Sequence, residues 1–319
     1  MINVLQLGAF RHTIRAWDFP GAAKVVKVTA ADDRRVPGSV MRASAALGVT
    51  PISWTSPPFG LTGAERHVAL FDNGTSAFVK GATDPETAAW LTNEARLLDQ
   101  VGGRFGPEII AWLSDDRPVL VTDDLSSAYW PAASGTAVRW RPGDIDAVLA
   151  TLEQLRALPA GPSLTPVPWP RPCWPRLVER SIPARLGLCS QDWLDRHGPQ
   201  IIALDERATS DGRSIVHGDV RSDNLCLLPD GQVRLVDWSE SGAGHPLHDL
   251  IMFLPAVHLE GGPTPASVLR DPIDMIVRLG GRTIWRAVSR REMPDWLRDV
   301  LRRLAVIQFA WITEIITDA

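Results

Sequence analysis

The sequence has little of what membrane, secreted or nucleic-acid-binding chains are built from. An apolar run of about 18 residues, the length of a membrane-spanning helix, occurs nowhere in its 319 residues, so no membrane partner is expected. Met1 to Phe10 has no basic stretch leading into a long apolar one, so no signal peptide is expected and the expected location is cytoplasmic. The three cysteines, Cys173, Cys189 and Cys226, include no C-x-x-C pair. That excludes a disulfide framework and a cysteine-based zinc site. Lysine and arginine number 33 against 37 aspartates and glutamates, a net charge of -4. Nucleic acid binding needs a basic footprint that this balance lacks, so no nucleic acid partner is expected. A cationic small substrate is compatible with it but not implied. The G-x-x-x-x-G-K-[ST] pattern is missing, which excludes a Walker-type phosphate loop. One tyrosine stands against thirteen tryptophans. Tryptophans either fill cores and interfaces or line a sugar or aromatic acceptor pocket.

What is present is ordinary in bulk. Apolar residues make up 45% and charged residues 22%, as in a soluble globular protein. The length fits two lobes better than one small core. Val36–Leu47 predicts a helix ended by Gly48, and Ile52–Trp54 a short strand. A turn-rich loop, Ser56–Gly63, follows, in which Gly60 and Gly63 would let backbone approach a phosphate. Arg66–Phe71 and Ser76–Lys80 read as strands about the turn Asp72-Asn73-Gly74-Thr75, because Asn-Gly tolerates positive φ. A helix begins at Asp84-Pro85 and is stopped by Gly102, with Ala88, Leu91, Ala95 and Leu98 on one face. Ile109–Leu113 and Val119–Val121 are two further strands. The character then turns helical: Ile145, Val148, Leu149, Leu152 and Leu155 keep a helical period. Pro159–Pro175 holds Trp169 and Trp174 and is excluded from regular helix by its prolines. It reads as a surface connection or a wall of an acceptor site. Gln191–Ala208 is a predicted helix, Ser214–Val216 and Val233–Val236 are short strands, and Asp295–Ile316 is a long amphipathic helix.

The chemistry concentrates in His217-Gly218-Asp219-Val220-Arg221-Ser222-Asp223-Asn224 and in Leu235-Val236-Asp237-Trp238. A carboxylate at Asp219 can orient an acceptor hydroxyl and take its proton as a bond to phosphorus forms. Asn224 stands five positions on, where its amide oxygen can ligate magnesium. Asp237 ends an apolar run, so its carboxylate would emerge at a strand end as a second ligand. Arg221 either neutralises charge on a transferring phosphoryl group or is a surface arginine. His217 reads as a buried brace for the loop. Lys80 closes a strand and can hold α- and β-phosphates, with Glu94 as its acidic partner fourteen residues on. Thr122, Asp123 and Asp124 form the connection where backbone groups would read a nucleobase. Asp249 in Gly244–Leu250 is expected to accept backbone hydrogen bonds of the catalytic segment. Acidic and polar groups that could border an acceptor are Asp223, Glu240, His258 and Glu260.

The set Lys80, Glu94, HGDVRSDN at His217–Asn224, LVDW at Leu235–Trp238 and GHPLHDL at Gly244–Leu250 resembles the aminoglycoside phosphotransferase family, whose fold is similar to that of protein kinases. The resemblance implies an α+β, protein-kinase-like two-lobed fold. Residues 1–123 would form a small antiparallel β-sheet lobe with one helix, and 124–319 a larger, mainly helical lobe. ATP or GTP with Mg2+ would bind between them, Lys80 on the phosphates, Asp219 as base, Asn224 and Asp237 as magnesium ligands. Trp238 stands where many members carry Phe or Tyr, and Arg221 where many carry His. Neither departure removes the base or a ligand. The family acts on aminoglycosides, macrolides, nucleoside and peptide antibiotics, choline, homoserine and sugars, so membership fixes reaction type better than acceptor. The expectation is a nucleotide- and magnesium-dependent O-phosphotransferase acting on a hydroxyl of a small molecule, an antibiotic first. A primary-metabolite kinase is the alternative, with a nucleotide-binding pseudokinase or a protein kinase further off. The expected assembly is a monomer or homodimer.

Overall fold

The computed structural model describes residues 35–57, 63–133, 137–289 and 293–317. The chain is α+β: a five-stranded antiparallel sheet followed by a mainly helical region. Gly60 of the loop after the first strand lies outside the described residues.

The sheet grows from local signals. Helix α1 (Gly38–Leu47) stops at Gly48, whose φ of 66° is left-handed, a conformation that favours glycine. Strands β1 (Pro51–Thr55), β2 (Glu65–Phe71) and β3 (Ser76–Gly81) follow. At the β2–β3 turn the Asn73 Oδ1 accepts the Thr75 N–H at 3.0 Å. This turn fixes a register that sets Arg66 opposite Lys80 and Ala69 opposite Ala77. Strands β4 (Ile109–Leu113) and β5 (Val119–Asp123) complete the order β1-β2-β3-β5-β4. Val79, Val121, Ala69 and Phe71 of the sheet and Val40 and Ala43 of α1 form one buried core.

Helix α2 (Pro85–Phe105) connects β3 to β4. Its start is doubly capped: the Thr87 N–H donates to Asp84 Oδ1 at 2.8 Å, and the Asp84 N–H donates to Thr87 Oγ1 at 3.0 Å. Such reciprocal bonds satisfy N–H groups that a helix start otherwise leaves open. The helical path breaks at Gly102, with φ 60° and ψ -173°. Leu91, Ala95 and Leu98 are buried as their spacing predicts, and Glu94 is buried with them.

The helical region holds α3 (Asp144–Arg156), α4 (Trp174–Glu179), α5 (Ile182–Arg185), α6 (Gln191–Arg207), α7 (His248–Leu259), α8 (Pro265–Val268), α9 (Ile273–Ser289) and α10 (Asp295–Thr317). Two small ladders sit among them: β6 (Ser214–Val216) with β9 (Gly242–Gly244), and β7 (Leu225–Leu227) with β8 (Val233–Leu235). Helices α3, α6 and α10 match the sequence pattern. Strands β6 and β8 match it too, whereas β7, β9 and the helices α7 to α9 have no counterpart in that pattern; β9 is Gly-Ala-Gly, which lacks strand-favouring side chains, and α7 is apolar on most sides.

Two cores organise this region. One joins Leu98 and Phe105 of α2 to Trp238, Leu225, Leu235 and Leu152, so the helix carrying Glu94 packs on the segment carrying Asp237. The other buries Trp174, Trp311, Phe309 and Ile276 among the helices. Trp174, Trp238 and Trp311 are fully buried, which is the core-filling reading of tryptophan. The proline-rich stretch lies against this body outside regular helix except at its end, where Trp174 and Pro175 open α4, because a first turn tolerates proline. Thr165 and Val167 bond the backbone of Ala243 at 2.9 Å each, and the Arg278 guanidinium donates to Pro170 O at 2.8 Å while stacking over Trp169. No helix of the described residues is long and apolar enough to cross a membrane.

Candidate active site

Lys80 and Glu94 meet because their elements do. Lys80 leaves β3 beneath α2, and its Nζ donates to both Glu94 oxygens at 2.7 and 2.9 Å. The same ammonium reaches Asp237 Oδ1 at 3.4 Å. Burial works against the Lys80 ammonium, but Glu94 and then Asp237 outweigh it, and its pKa lies above the ordinary lysine value. Burial pushes the Glu94 carboxyl up, and the ammonium pulls it part of the way back. Asp237 is also pushed up by burial, yet Lys80 dominates and holds it below the ordinary carboxylate value. These three line a cavity together with Arg66, Trp90 and Ser239.

Asp237 has φ 66° and ψ 63°. A left-handed aspartate is uncommon and is held there by its surroundings. Trp238, next in the chain, is buried, and its Nε1–H donates to Leu235 O at 2.8 Å, so the turn closes on itself. Asn93 fixes the turn from outside: its Nδ2 donates to Ser239 O at 3.1 Å and to Ser241 O at 2.9 Å. Asn93 carries no motif of its own. The available signal was its place beside Glu94, one step around the helix toward the Asp237 turn.

The segment from His217 to Asn224 is built around a glycine. Gly218 has φ 85°, and a Cβ there would stand 2.7 Å from Glu240 O. Asp249 accepts the His217 N–H at 2.7 Å and the Gly218 N–H at 2.8 Å. His217 is fully buried, and burial depresses its pKa, so its ring is neutral. Its Nδ1 accepts the Asp219 N–H at 3.3 Å, which leaves Nε2–H to donate to Val236 O at 3.1 Å. The ring thereby ties the Asp219 backbone to the residue before Asp237. Burial also pushes the Asp249 carboxyl upward.

Asn224 Nδ2 donates to Asp219 Oδ2 at 2.9 Å and to Asp219 O at 3.0 Å. The Asn224 carbonyl accepts the Val236 N–H at 2.9 Å, so Asn224 and Asp237 are neighbours across the β7–β8 ladder. With Nδ2 turned to Asp219, Oδ1 is the side-chain atom left to meet a cation. Arg221 bridges two carboxylates, at 3.4 Å from Asp219 Oδ2 and 3.1 Å from Asp223 Oδ1. Burial lowers its pKa, but Asp223 and Asp219 outweigh that and raise it.

The remaining predicted residues lie around this centre. Thr122 is buried in β5. Asp123 Oδ1 accepts the Glu108 N–H at 2.8 Å, and Asp124 Oδ1 the Ser126 N–H at 2.9 Å. Both carboxylates therefore shape the connection leaving the sheet. Burial raises the Asp123 pKa. Glu240 is exposed, with its carbonyl over Gly218. His258 Nδ1 bonds Gly262 O at 3.1 Å. Glu260 accepts from Ser222 Oγ at 2.7 Å and from Trp140 Nε1 at 3.0 Å. Ser222 and Trp140 were not anticipated, since neither residue type signals this role. Among the described residues no cluster of three or more histidines, cysteines and carboxylates forms a closed metal cage.

Residues 62–269 match the phosphotransferase enzyme family. A search of curated proteins returns no match. Among solved structures, a macrolide 2'-phosphotransferase type I is similar over 91% of this chain and 92% of its own, at 16% identity and TM-score 0.50. The macrolide 2'-phosphotransferase MphH from Brachybacterium faecium is similar over 83% and 96%, at 15% identity and TM-score 0.53. A spectinomycin phosphotransferase, solved with ADP and spectinomycin, is similar over 88% and 100%, at 13% identity and TM-score 0.52. At these identities the likeness is one of fold.

Proposed function

This chain belongs to the phosphotransferase enzyme family, and from that premise we propose that it moves the γ-phosphoryl group of ATP or GTP onto a hydroxyl of a small molecule, an antibiotic in the first instance. The observation that carries the reading is the convergence on Asp237 of a buried ion pair from the sheet side, with Lys80 Nζ 2.7 Å from Glu94 and 3.4 Å from Asp237. Phosphoryl transfer is catalysed by positioning and charge stabilisation, and that is what this chain's groups supply. Lys80, held by Glu94, carries the charge that meets the α- and β-phosphates. Asp219 orients the acceptor hydroxyl and accepts its proton at a carboxylate oxygen as the new O–P bond forms. Arg221, beside it, offsets charge on the phosphoryl oxygens. Backbone groups of 122–124 meet the nucleobase, with the lobes dividing after Asp123 into 1–123 and 124–319.

Asp237 and the Asn224 amide suit magnesium. Both offer hard oxygens, and magnesium takes one or two protein oxygens and fills its shell with water and phosphate. When bound, magnesium neutralises charge on the phosphates. The antibiotic class is supported by the fold's similarity to enzymes whose names specify macrolides and spectinomycin. Asp223, half exposed beside Asp219, is the acidic group best placed to meet an acceptor.

The test is acceptor-dependent nucleotide consumption with Mg-ATP and Mg-GTP across hydroxylated antibiotics, choline, homoserine and sugars, with the phosphorylated product identified. Phosphorylation of an antibiotic, lost in Asp219→Ala, is the expected result. Unchanged turnover in that variant overturns the assignment of Asp219. A chain that binds Mg-nucleotide and phosphorylates nothing is a binding protein.

A further inference from the structure

We propose that Glu260 is a positioning residue: with Ser222 and Trp140 it fixes the far end of the His217–Asn224 loop as Asp249 fixes the near end, so that a single helix sets the span on which Asp219 sits. What the loop does rests on the phosphotransferase reading; the pinning itself does not.

Helix α7 runs from His248 to Leu259. Asp249 stands in its first turn and Glu260 at its C-cap, about 16 Å apart along the axis at 1.5 Å per residue. Asp249 takes the N–H groups of His217 and Gly218. At the other end Ser222 Oγ, in a buried residue, donates to Glu260 Oε1 at 2.7 Å. Glu260 Oε2 accepts the Trp140 Nε1–H at 3.0 Å. Trp140 is itself held by α7, its ring edge-on to Phe253 at 6.3 Å and 79°. Both carboxylate oxygens are thus engaged inside the protein. This separates Glu260 from Asp223, whose contacts with Arg221 leave it half exposed. Asp219 lies between the two pins, and its carboxylate must meet an acceptor oxygen within hydrogen-bond reach. A shift of about 1 Å in such a group can cost about a hundredfold in rate. A helix is stiffer than a loop, so pinning both ends to one helix limits that shift.

The experiment compares Ser222→Ala, Glu260→Ala, the double variant and Glu260→Gln. With saturating Mg-nucleotide and a good acceptor, each single alanine is expected to lower kcat at least about tenfold, with the nucleotide KM unchanged. The double variant should be no slower than the slower single, because both remove the same link. Glu260→Gln keeps an acceptor oxygen and should recover most of the rate. Multiplicative losses in the double variant would overturn the link. A raised acceptor KM at wild-type kcat in Glu260→Ala would instead make Glu260 an acceptor ligand. Amide exchange gives a readout that needs no acceptor. In Ser222→Ala, which removes one hydroxyl, exchange at Val220–Asn224 should quicken while that of His217 and Gly218 stays slow. Unchanged exchange overturns the proposal even in a chain without transferase activity, and quickened exchange in such a chain leaves the pin standing while the functional reading falls.

Discussion

Two charged clusters flank the proposed reaction site, and they are built on opposite plans. Lys80 and Glu94, from β3 and α2, have side chains 13% and 4% exposed. Arg221 and Asp223, from the loop after Gly218, have side chains 49% and 46% exposed. In the first cluster each charge has lost most of its water, so removing one partner strands the other. In the second, solvent screens the attraction, and such pairs add at most about 1 kcal/mol to stability. The inner cluster is therefore part of the fold as well as of the site. The outer one is nearly free of structural duty, so its place beside Asp219 is explained by chemistry or not at all.

The sharpest way to separate the two is at Asp219 itself. Asp219→Asn keeps shape and removes the proton acceptor, and kcat should fall roughly 100- to 10,000-fold. Its side chain is 37% exposed, so thermal unfolding should move little; a large drop in Tm would place Asp219 in the structural group. Lys80→Met is the contrasting case. It leaves Glu94 buried without its cation and should cost about 3–5 kcal/mol in denaturant unfolding, besides weakening nucleotide binding. A loss below about 1 kcal/mol would mean the pair behaves as a surface pair, and the contrast would collapse.

How much of this could be read from the chain follows the same division. The inner cluster was legible because regular elements carry periods: Lys80 ends an alternating strand and Glu94 falls on the apolar face of a helix. The nearness of Asp219, Asn224 and Asp237 was anticipated because the proposed phosphoryl transfer would need those groups close together. The pins were not. Asn93 acts on the carbonyls of Ser239 and Ser241, and Trp140 reaches Glu260 across 120 positions; neither leaves a local pattern. Strand β9, Gly-Ala-Gly, was hidden for a like reason, since its pairing with β6 and not its own residues defines it.

Glu260 stands between the two clusters in burial and carries the next largest effect. Burial pushes its carboxyl up to about 7, with Asp223 adding to that and Ser222, Trp140 and Arg221 opposing it. A raised carboxyl pKa means the folded chain keeps a proton that the unfolded chain has released. Stability then falls as pH rises from the ordinary value of 4.5 to about 7, by no more than about 3–4 kcal/mol. Burial lowers the His248 pKa to about 4, which costs stability as pH falls through the same range, so the wild type alone mixes two slopes. The difference between Glu260→Gln and the wild type isolates one: it should grow in favour of the variant from pH 5 to pH 8. A difference independent of pH would show that Glu260 meets water freely.

Arg221→Ala carries the smallest expected energy and bears most directly on the outer cluster. Its contacts with Asp219 and Asp223 are half exposed, so unfolding free energy should change by less than about 1 kcal/mol. If the guanidinium offsets charge on the transferring group, kcat should still fall at least about tenfold, with the nucleotide KM nearly constant. Arg221→Lys keeps the charge but loses the planar fork that spans two carboxylates, so it should recover only part of the rate. A wild-type kcat in Arg221→Ala would return this arginine to the surface, and the outer cluster would reduce to Asp219 held by Asn224.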